Sequence, residues 1–148
     1  MKTFETAITP QKQDTRIRWR RGILAGFLSE VAVISALSLV IGTLRFIVAP
    51  GLSSSAYGAF AEKASYFLAI PVAALSTFLV AFRAVRRLES AFVSNGVFVG
   101  VVGTLLTVGF LLTAAPEDRG MYIASFVARI TAGYFAGLVA SQASESVR

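Results

Sequence analysis

"GILAGFLSEVAVISALSLVIGTLRFIV", residues 22–48, is an apolar run with a carboxylate, Glu30, well inside it and a guanidinium, Arg45, near its far end. At 1.5 Å rise per residue, about 20 residues cross the roughly 30 Å hydrocarbon core of a bilayer, so the run is long enough to span as one helix. A central charged residue costs about 2.5–3.5 kcal/mol on the insertion scale, against about 0.3–0.6 kcal/mol gained per central Leu, Ile, Val or Phe. The many such residues here outweigh Glu30, and the run inserts unaided. The carboxylate still calls for a partner or a purpose.

The whole chain has the same character. Of 148 residues, 55% are hydrophobic and 15% are charged, where soluble domains carry about 25% charge. With a mean hydropathy of +0.71, the composition predicts an all-α integral membrane protein. Its length allows one compact membrane domain and no separate soluble catalytic domain. Cys and His are both absent. This removes the usual ligands of zinc, haem and iron–sulfur groups and the residues of Cys–His or Ser–His nucleophile pairs. No metal, no cofactor and no enzymatic activity is expected. The net charge of +6 is not read as nucleic-acid binding, because the basic residues flank apolar runs and form no polar face with interleaved aromatics.

Residues 1–21 read as a cytoplasmic basic tail ending in Arg16, Arg18, Arg20 and Arg21 around an interfacial Trp19. The apolar run behind this tail is too long for a signal peptide and lacks a small-residue cleavage site, so it is expected to be retained. Spans are predicted at about 22–48, 64–82, 92–115 and 121–141, with a cytoplasmic tail over 142–148. The Gly/Ser-rich "APGLSSSAYGAFAEK" joins the first two, with a short interfacial helix around Tyr57 to Glu62. "RAVRRLES" is a basic turn, and "APEDRG" is a tight turn punctuated by Pro116 and Gly120. The predicted fold is a four-transmembrane-helix bundle of two helical hairpins. Lys2, Lys12, Arg16, Arg18, Arg20, Arg21, Arg83, Arg86 and Arg87 face Lys63 and Arg119 across the slab. Nine against two places both termini in the cytoplasm by the positive-inside rule, most simply in a bacterial cytoplasmic membrane.

The fourth span holds the other deep charge, Arg129. Glu30 lies about 12 Å from the cytoplasmic edge and Arg129 about 12 Å from the opposite edge, so the two Cα atoms differ in depth by about 6 Å, within reach of an arginine side chain. Glu30 and Arg129 are therefore expected to pair and to bring the first and fourth helices into contact. The fourth span, poorer in large apolar residues, needs such a partner to insert. Each charge belongs to an i, i+4 series of small or polar residues: Gly22, Gly26, Glu30, Ile34, Ser38 and Gly42 on one helix, Ser125, Arg129, Gly133, Gly137 and Ser141 on the other. Small faces of this kind permit close helix approach, and Gly96, Gly100 and their neighbours on the charge-free third span read the same way.

Pro71 frees a backbone carbonyl in the second span and is a candidate hinge or cavity residue, with Tyr66 and Tyr134 as candidate cavity hydroxyls. Arg45 is expected to snorkel outward or to pair with Glu62, Glu117 or Asp118. The string "GILAGFLSEV", residues 22–31, resembles the first helix of small multidrug resistance transporters, which are also four-span chains with a glutamate there. The resemblance implies a transport site at Glu30. It covers these ten residues, and neither the later helices nor Arg129 follows that family's pattern.

Of three functional classes, a membrane enzyme lacks a credible nucleophile–base set, a structural or accessory protein is the expected reading, and a small transporter or channel is the alternative. A structural or accessory membrane protein would use the Glu30–Arg129 pair to fix helix register, within a homo-oligomer or a larger membrane complex. A small oligomeric transporter or channel would use the pair as an ion, proton or substrate site. The first requires an uncovered small-residue face, such as Gly96 to Gly103; the second requires a water-reachable cavity at Glu30.

Overall fold

The computed structural model of the chain describes residues 16–48, 50–51 and 53–145. The tail reading over residues 1–15, with Lys2 and Lys12, lies outside these residues, as do the last three residues of the expected 142–148 tail. Four helices make up the fold: α1 (Trp19–Val48), α2 (Ser54–Val85), α3 (Phe92–Thr113) and α4 (Arg119–Glu145). All four are long and apolar enough to cross a membrane.

Local chemistry accounts for the helix bounds. The Ser53 hydroxyl accepts the Ala56 N–H at 3.3 Å, a helix N-cap, and the alanine-rich stretch behind it continues as helix. Residues 54–63 of the segment read as a loop with a short interfacial helix thus belong to α2, which begins at Ser54. At the other end of the molecule, Arg18 N–H donates to Asn95 Oδ1 of α3 at 2.9 Å, while Trp19 meets the Phe98 ring edge-on with centroids 4.8 Å apart. α4 runs on to Glu145, into the segment read as a tail.

The helices form a ring in the order α1, α2, α4, α3, with α2 and α3 also touching across the short diagonal. α3 and α4 pack almost backbone to backbone. Gly96 and Gly133 face each other so closely that a methyl group on either would strike the other's carbonyl oxygen, and one on Gly100 would lie 2.7 Å from the Arg129 carbonyl oxygen. Gly22 and Gly26 of α1 also face α3, where they receive the side chains of Phe98 and Val102.

These contacts correct the expected pairing of small faces on the first and fourth helices. Among the described residues, no Cα of α1 comes within 8 Å of a Cα of α4. Both glycine faces are occupied by α3, which stands between the two helices. The α1 stripe also fails along its length: Ile34 and Ser38 are exposed, and a Cβ on Gly42 would meet nothing within 4 Å. Four residues turn a helix by about 400° rather than 360°, so a strict i, i+4 series winds away from any one neighbour.

Burial is lopsided along the bundle axis. On α1 the buried residues stop at Val33; on α2 they begin at Ala73; on α3 they stop at Gly103; on α4 they begin at Ser125. The half near the termini is closed by small residues, with Ala25, Ala81, Val99 and Ala136 at its core. The opposite half is splayed.

Candidate functional site

Glu30 and Arg129 mark the boundary between the closed half and the open half. They are 7% and 5% exposed, and Arg129 Nη1 donates to Glu30 Oε1 in the one salt bridge found among the described residues. The same Nη1 lies 3.4 Å from the Gly103 carbonyl oxygen. The pair spans the long diagonal of the ring, and Gly103 of α3 leaves it room: a methyl group there would lie 2.9 Å from Glu30 Oε1. Ser29, wholly buried beside this gap, turns its hydroxyl back to the Gly26 carbonyl at 2.7 Å. Arg129 Nε is buried with no hydrogen-bond partner among the described residues.

From this pair a cavity of about 690 Å³ runs between the four helices toward the end of the bundle remote from the termini. Its walls are mainly apolar, with hydroxyls from Tyr66, Thr107, Tyr122 and Ser125, and Glu62, Lys63 and Asp118 line its outer part. The arrangement is an amphipathic vestibule that ends on a carboxylate and a guanidinium held side by side. A group carrying both a donor and an acceptor finds complementary partners there.

The structure brings Glu30, Arg129 and Tyr66 to this cavity. Pro71 does not line it. It sits on an exposed face of α2, which continues as helix through it, and the carbonyl it frees belongs to Phe67, whose side chain is 77% exposed. Tyr134 also lies outside, 43% exposed, its ring edge-on to Phe135. Arg45 stacks over the Tyr57 ring, 4.4 Å from its centroid, and not on the acids named as its partners. Gly96, Gly100, Gly133 and Gly137 close the α3–α4 seam below the pair. Gly103, read from sequence only as packing, is the site residue the sequence underrates: its signal is a glycine that keeps the face of Gly96 and Gly100 one turn further along α3.

Comparison with protein-family models, with curated proteins and with solved structures finds no match to this chain, so the resemblance of residues 22–31 to small multidrug resistance transporters is not joined by any match at the level of a family.

Proposed function

We propose that the chain is a small transporter or channel of a bacterial cytoplasmic membrane, with both termini cytoplasmic, whose solute path enters from the outer face and reaches a binding site at Glu30 and Arg129. The observation that carries this reading is the cavity of about 690 Å³ that both charges line. A pair retained only for helix register needs no vestibule, and the small-residue face required by an accessory role, Gly96 to Gly103, is buried against α4 and the ion pair. An intramembrane charge beside a cavity is a site by default.

The absence of cysteine makes the test direct, since an introduced thiol is the sole one in the chain. Ser125→Cys, in the cavity one turn from Arg129, is expected to react with a membrane-impermeant thiol reagent added from outside. Ala132→Cys, in the closed half, is expected to stay inert. In vesicles, Glu30→Gln is expected to abolish solute movement, and unaltered flux in that variant overturns the assignment. A second reading, the structural or accessory one, draws support from the closure of the pair on itself. An inert Ser125→Cys would favour it.

A further inference from the structure

A second cavity, of about 590 Å³, lies between α1 and α2 at the end of the bundle near the termini. On α1 it is lined by Arg21, Leu24 and Leu28, on α2 by Val80 and Arg83, and from the turn that follows α2 by Arg87. The spacing i, i+3, i+7 keeps Arg21, Leu24 and Leu28 on one face of α1, and i, i+3 keeps Val80 and Arg83 on one face of α2, with Arg87 joining them from the turn beyond its end. Because the two helices are antiparallel, both faces carry their arginines at the same end and their apolar residues deeper in the slab. All three arginines are exposed, no acid lines the groove, and none of the three has a carboxylate partner among the described residues. Leu24 and Leu28 are 62% and 54% exposed.

We infer that this groove binds an anionic phospholipid, its phosphate held among Arg21, Arg83 and Arg87 and an acyl chain laid along Leu24, Leu28 and Val80. Charge complementarity selects the occupant. Guanidinium groups match phosphate in a planar, bidentate fashion, and basic pockets between spans on the cytoplasmic side suit acidic headgroups. A second copy related by a two-fold axis would set the same arginines against each other. A soluble acidic peptide would leave unfilled the apolar floor, which descends about 10 Å from Arg21 to Leu28. The inference rests on the membrane placement of the helices and is independent of the transport site.

Native mass spectrometry of the full chain in detergent tests it, with dioleoyl phosphatidylglycerol and dioleoyl phosphatidylcholine as paired probes of equal chain length. Each basic residue near an anionic surface contributes about 1 kcal/mol, or about fivefold, so the wild type is expected to retain the glycerol lipid at least about tenfold better. The triple variant Arg21→Gln, Arg83→Gln, Arg87→Gln is expected to retain both lipids equally at unchanged helicity, and Arg119→Gln, at the opposite end, to keep the preference. The corresponding triple Lys variant is expected to keep part of it. Should the Gln variant lose helicity, salt decides, since the wild-type preference is expected to fade as ionic strength rises. Equal retention by the wild type, a preference that survives in the folded Gln variant, or one insensitive to salt overturns the inference. Displacement of the lipid by inorganic phosphate alone also overturns it in favour of a free-phosphate site, and a lipid-free dimer that blocks retention overturns it in favour of a second copy.

Discussion

Glu30 and Arg129 reach each other across a gap that neither helix backbone closes, so each depends on the other for the neutralisation of its charge. Removing one partner of a buried pair leaves the other uncompensated, at a cost of about 3–5 kcal/mol, whereas removing both leaves no charge behind. In detergent, Glu30→Gln and Arg129→Gln are each expected to lower the melting temperature markedly, and the double variant to be no worse than either. Simple additivity in this cycle would mean that the two charges are uncoupled and that each answers separately to water or to a ligand. Their common depth is readable in the sequence because rise per residue is fixed. The vacancy at Gly103 is not, because its meaning depends on which helix stands between them.

Among the elements, α3 and α4 form the tightest seam, and it is built from absent side chains. Gly96→Val or Gly133→Val must push the two backbones apart, since even a methyl group at either position meets the opposing carbonyl oxygen. Each is expected to lower the melting temperature and to disturb the ion pair above. Gly42→Ala and Gly109→Ala, where an added Cβ meets nothing within 4 Å, are expected to be neutral or to raise stability by up to about 1 kcal/mol through helix propensity. Thermal melts of the four variants check both halves of this contrast. In the sequence all four glycines look alike, as small residues on apolar helices; the neighbour decides which of them are indispensable. The stripe on α1 misleads for the same reason, because periodicity names a face and not what the face meets.

For the molecule as a whole, the charge distribution and the lopsided burial point in one direction. The closed, arginine-rich end is the one predicted to face the cytoplasm, and the cavity extends from the ion pair to the end bearing Glu62, Lys63 and Asp118. In intact cells an impermeant thiol reagent is expected to label Glu117→Cys at once and Glu89→Cys only after permeabilisation. The reverse pattern would invert the orientation, and labelling of both would indicate dual insertion. Either result would remove the outward-facing vestibule from the proposed mechanism.

The sequence by itself determines that the chain forms four long apolar helices, and it places two opposite charges at similar depth, because hydropathy and helical rise act residue by residue. Only the tertiary structure decides that α1 and α4 lie diagonally apart, that Pro71 and Tyr134 face outward, and that one half of the bundle closes while the other opens on the ion pair. Those outcomes come from competition among faces. Glycines of α1 and α4 both meet α3, Gly22 and Gly26 under its Phe98 and Val102 and Gly133 against its Gly96, so both helices close on α3 and the remaining volume collects at the other end of the bundle.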